Sequence, residues 1–60
     1  MTDIRKIIMS ELKEYAAEHT EYNKGYVMGI IMGAYAASVI TTSEYANFME
    51  QVAKIGKEVS

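Results

Sequence analysis

The sequence predicts an all-α fold: a helical hairpin of one long helix over about 3–40 and a short C-terminal helix over about 42–58, assembled as a homodimer or higher homo-oligomer. Three observations carry that expectation. Proline is absent, and no Gly/Ser-rich linker interrupts the chain. Apolar residues recur at steps of three and four, without the sustained alternation that marks a strand. The segment ITTSEY, residues 40–45, carries a helix-start signature that divides the two elements.

In the long helix, Ile4, Ile8, Leu12, Tyr15, His19, Tyr22, Tyr26, Gly33, Ala37 and Ile40 trace one stripe. The stripe keeps its phase through residues 19–25, where a helix break would normally shift it. Charge gives a second reason for continuity. A helix ending near residue 20 would set Arg5 and Lys6 against its positive end and Glu14, Glu18 and Glu21 against its negative end, opposing the dipole. In one long helix those glutamates sit mid-helix. Against this, Thr20, Asn23 and Gly25 are modest helix formers, and they place the alternative, a break, near 20–24. An unbroken helix would be about 57 Å long at 1.5 Å per residue, leaving much of its apolar face for another subunit.

The most apolar part of this helix, GYVMGIIMGAYAASVI, contains a ladder of small residues: Gly25, Gly29, Gly33 and Ala37. Glycine inside a helix costs ~1 kcal/mol relative to alanine, so three at this spacing predict close approach of a second helix backbone. On a helical wheel Gly25, Gly29, Gly33, Ala36 and Ala37 cluster on one side, and Val27, Met28, Ile31, Met32, Tyr35 and Val39 crowd the other. The bulky side suits the C-terminal helix. The small side suits a second subunit, with Ile8 and Leu12 assigned to the same interface. Small-xxx-small is also a membrane pairing pattern. Here, however, Tyr26–Ile40 covers about 22 Å of helix against a hydrocarbon core of ~30 Å, so membrane insertion is not expected.

The C-terminal helix has the clearest start. With Thr41 as N-cap, its hydroxyl accepts from the Glu44 N–H while the Glu44 carboxylate reaches back to the Thr41 N–H, a capping box. Ile40 and Tyr45 occupy the positions of a hydrophobic staple. Tyr45, Phe48, Met49, Val52, Ile55 and Val59 then form an apolar stripe, and Lys54 and Lys57 fall in the last turns, where cations favour the dipole.

Sixty residues make one domain, 1–60. A core this small rarely supplies more than ~3–5 kcal/mol, and such folds usually add disulfides, a metal or a second copy of themselves. The chain has no cysteine and a single histidine, His19, which leaves self-association and gives no expectation of a metal or cofactor. A net charge of −2 with no basic stripe argues against nucleic-acid binding. The N-terminus MTDIRKIIMS lacks signal-peptide organisation, so a cytoplasmic location is expected. Ser10, Ser38, Ser43 and Ser60 lack nucleophile context, no E-x-x-H pattern occurs and the glycines follow no phosphate-binding motif; no enzyme is expected.

The residues left for recognition are aromatic and acidic. Tyr15, Tyr22 and Tyr26 share a face of the stripe, with Glu14, Glu18 and Glu21 near them. Tyrosine is enriched at binding hot spots because a large flat ring carries a polar tip, and the glutamates suit a basic patch on a partner. The plainer alternative is rings at the rim of a subunit interface and solvated glutamates. His19 reads as a histidine at the edge of a core or subunit seam.

The segment EYNKGYVMGIIMGAYAASVITTSEYANFMEQV, about residues 21–52, resembles short helical proteins encoded by bacteriophages and prophages. In these a Gly/Ala-rich helix is followed by I-T-x-x-E-Y and a short amphipathic helix. The resemblance implies a small oligomer that binds a larger bacterial protein in the host cytoplasm, including inhibitors of bacterial defence systems. The alternatives are a self-assembling structural subunit and a small membrane-associated phage protein.

Overall fold

The structure, a computed structural model, describes residues 3–58. They form three helices, α1 (Ile4–Ala17), α2 (Glu21–Ala36) and α3 (Thr42–Lys57). Each helix packs on the other two. The all-α expectation holds, and the described residues contain no strand. The single long helix does not form. It is replaced by two shorter ones, and the longest dimension of the bundle is 33 Å.

α1 begins at Asp3, whose carboxylate accepts the Arg5 N–H at 3.0 Å and places negative charge at the positive end of the helix. Its inward face carries Ile8, Leu12 and Tyr15, all buried. The helix stops where Glu18 turns extended, at φ −133° and ψ 101°. Thr20 then caps α2, its Oγ1 accepting the Asn23 N–H at 3.1 Å, and Asn23 Nδ2 donates to the Glu18 carbonyl at 3.0 Å. Two polar side chains thus satisfy backbone groups that a break exposes. The dipole conflict that favoured continuity persists in α1, where Arg5 and Lys6 lie in the first turn and Glu14 in the last, and the break relieves it only for Glu21. Glu21 falls in the first turn of α2, where negative charge is favourable.

The stripe was in phase across this break by coincidence. α2 is apolar on every side, so almost any line drawn along it looks hydrophobic. Its buried residues are Val27, Ile31 and Ala34, with Met28 and Ile30 packed against the core. Of the assigned continuation of the stripe, His19, Tyr22, Tyr26, Gly33 and Ala37 are exposed, and Ile40 is buried. Met32 and Val39, assigned to the bulky inner side, are also outside it, at 51% and 47% exposure.

α2 ends in a Schellman arrangement. The Ser38 N–H donates to the Tyr35 carbonyl at 3.0 Å and the Val39 N–H to the Ala34 carbonyl at 2.9 Å. Ser38 takes the left-handed conformation, φ 61°, that this turn requires. The chain then drops Ile40 into the core and starts α3 with the expected capping box. Thr41 Oγ1 accepts the Glu44 N–H at 3.1 Å, and Glu44 Oε1 accepts the Thr41 N–H at 2.8 Å. Phe48 and Val52 are buried, and Tyr45, Met49 and Ile55 pack against them, as the stripe predicts. Val59, assigned to the same stripe, lies outside the described residues.

The N-termini of α1 and α3 are tied together. Arg5 Nε donates to Glu44 Oε2, and Arg5 Nη2 donates to Glu44 Oε1 at 2.9 Å and to the Val39 carbonyl at 3.3 Å. One guanidinium therefore fixes the α2–α3 turn and the cap of α3 together. On the other side of that turn the Tyr35 and Tyr45 rings stack at 4.4 Å, and the Tyr35 hydroxyl hydrogen-bonds Thr42 Oγ1 at 3.2 Å.

Candidate interaction surface

Packing α2 by Val27, Ile31 and Ala34 turns its opposite face outward. With 100° between successive residues, that face carries Glu21, Tyr22, Gly25, Tyr26, Gly29, Met32, Gly33 and Ala36, all exposed. Among them only Glu21 is charged. Gly25, Gly29 and Gly33 each face open space, with nothing within 4 Å of where a Cβ would stand. Among the described residues the ladder therefore meets no second helix. The glycine that meets a neighbour is Gly56 in α3, where an added Cβ would lie 3.3 Å from the Tyr15 side-chain hydroxyl. Gly56 leaves room for the tyrosine that closes the α1–α3 side of the core, and nothing in its sequence neighbourhood marks it.

The residues assigned to a subunit interface divide in two. Gly25, Gly29 and Gly33 are exposed on one helix face, and Ala37 is exposed at the C-cap just past it. Ile8 and Leu12 are not available to a second subunit. Ile8 is fully buried and Leu12 nearly so, because an α1 of 14 residues has only one apolar stripe and the chain's own core uses it. Tyr15 is likewise buried, which removes it from the partner-binding set. Its ring meets His19 edge-on at 5.6 Å. His19 itself is exposed in the turn between α1 and α2.

Tyr22 and Tyr26 are exposed by 77% and 50% and stack on each other one helical turn apart, at 6.2 Å between ring centres and 20° between planes. They border a cleft of about 310 Å³ between α1 and α2, lined by Ser10, Glu11 and Glu14 from the first helix and Tyr22, Asn23 and Tyr26 from the second. Of the glutamates assigned to partner contact, Glu14 lines this cleft; Glu18 and Glu21 are exposed at the turn that closes one end of the α1–α2 pair. Ser10, Glu11 and Asn23 were not assigned. Their sequence signal lies in the spacing of Glu11, Glu14 and Glu18, which marks one flank of α1, but only a break after Glu18 folds that flank against the tyrosines.

A second cleft, about 250 Å³, lies between α1 and α3 and is lined by Met9, Leu12, Lys13, Ala16, Gln51 and Ile55. Among the described residues no cluster of three or more His, Asp or Glu side chains could hold a metal ion. No helix among them is long and apolar enough to cross a membrane. Comparison with family models, with curated proteins and with solved structures finds no match for this chain.

Proposed function

We propose that this chain is a non-enzymatic protein–protein interaction module that associates with itself through the outward face of α2 and binds a larger bacterial protein as an inhibitor or regulator. The observation that supports it is the ladder in open space: three helix-interior glycines meet no neighbour among the described residues, on a face that also exposes Tyr22, Tyr26 and Met32. Small residues let a second backbone approach closely, and exposed aromatic and Met side chains are characteristic of interface cores. The resemblance to phage-encoded helical proteins suggests the class of partner, a host protein of a bacterial defence system.

The test is sedimentation of the wild-type chain and of a Gly29→Leu/Gly33→Leu variant. The added side chains enter open space, so the circular dichroism spectrum should keep its helical form while the oligomer dissociates to monomer. A wild-type chain that stays monomeric at every concentration overturns self-association, as does a variant that keeps the oligomer intact.

A further inference from the structure

We propose that the cleft between α1 and α2 is a receptor for an arginine side chain presented by a basic surface of the partner protein. The inference rests on the interaction-module reading and names the chemistry of its partner contact. Charge complementarity carries it. The cleft places two carboxylates, Glu11 and Glu14, beside a stacked pair of tyrosine rings, and no lysine or arginine lines it. Among the described residues neither carboxylate takes part in an ion pair; Arg5 serves Asp3 and Glu44, and Lys54 serves Glu50.

A guanidinium fits this set better than an ammonium. Its plane can lie on a tyrosine face while its N–H groups fork to carboxylate oxygens, and it loses less hydration on leaving water. The other polar groups suit the same guest, since the Asn23 amide carbonyl and the Ser10 hydroxyl can both accept from a guanidinium. Asn23 is held in place by its Nδ2 bond to the Glu18 carbonyl, which leaves its side-chain oxygen unengaged by that bond. The cleft lies on the α1 side of α2. Tyr22 and Tyr26 border both this cleft and the outward face that carries Gly29, Met32 and Ala36.

The deciding experiment is an NMR titration of the full chain with blocked tri-arginine and tri-lysine peptides. Chemical-shift changes should centre on Glu11, Glu14, Tyr22, Asn23 and Tyr26, with tri-arginine bound about two- to fivefold more tightly. Glu14→Gln and Tyr22→Ala should each weaken tri-arginine binding by about two- to fivefold with an unchanged circular dichroism spectrum. Glu50→Gln, a change outside the cleft, should not weaken it. Equal affinity for the two peptides, or shifts spread as far as Glu50 and Glu58, would reduce the contact to general electrostatics and overturn the proposal. Sedimentation of the same samples separates the two readings. Self-association without arginine binding removes only the receptor, whereas arginine binding by a chain that stays monomeric removes only the self-associating face.

Discussion

Glu44 serves three contacts with one carboxylate. Oε1 accepts both the Thr41 N–H that completes the capping box and an N–H of Arg5, while Oε2 takes the second arm of that guanidinium. The Arg5 hydrogen bonds, and after them the Thr41 N–H, hold the carboxyl at about 2, well below its usual value of 4.5. A carboxyl lowered by folding adds stability that is complete above its unfolded value and is lost as pH falls through its folded value. The window here runs from 4.5 down to about 2. Arg5 is raised by the same contact and stays charged across this range. Glu44→Gln keeps a side chain able to complete a capping box but removes the charge. The wild type should therefore melt above the variant at pH 7, and the two melting curves should converge as pH approaches 2. A difference that stays constant with pH would show that packing, rather than the ion pair, makes the contribution.

At the scale of elements, the ends of the helices decide the fold. The start of α3 is legible because box and staple fall on one position and a clean apolar stripe follows. The end of α1 is harder to read. The N-cap of α2, Thr20, is followed at the third helical position by Asn23, not by Glu or Gln, so T-E-Y-N does not spell a capping box even though its side chains cap both sides of the break. The apolar pattern gives no help, because α2 lacks a polar side to reveal a change of phase. Ile8, Leu12 and Tyr15 were legible as a stripe, but whether it faces the chain's own core or a second subunit depends on where α1 ends. The outward turn of the ladder follows from the same break. The Schellman turn after α2 is also silent in sequence, since its left-handed position holds Ser38 where glycine is usual. A non-glycine residue in that conformation costs ~1–2 kcal/mol, partly offset because glycine loses more entropy on folding. Ser38→Gly should therefore stabilise the protein by about 0.5–1 kcal/mol. Thermal unfolding would show this as a rise of several degrees; an unchanged or lowered midpoint would mean that Ser38 makes a compensating contact.

For the whole molecule, the glycines set folding of the single chain against association of two. A three-helix core of this size rarely supplies more than ~3–5 kcal/mol, while each glycine inside α2 weakens the helix by ~1 kcal/mol relative to alanine. With no neighbour within 4 Å, Gly29 and Gly33 can each accept a methyl group without displacing any of the described residues. Gly29→Ala/Gly33→Ala should therefore raise the melting temperature at high dilution, by about 4–8 °C for each kcal/mol gained in a domain of this size. If α2 packs on a second α2, the same methyl groups push the two backbones apart and weaken the oligomer. Mass action makes an oligomer's melting temperature climb with protein concentration, by about 3–6 °C per tenfold well above the dissociation constant of a dimer. The wild type should show that climb and the double variant should not, so their melting temperatures should converge, or cross, as concentration rises. Parallel curves would mean that the ladder is not the seam; a rise with concentration in neither protein would mean that the chain folds and remains alone.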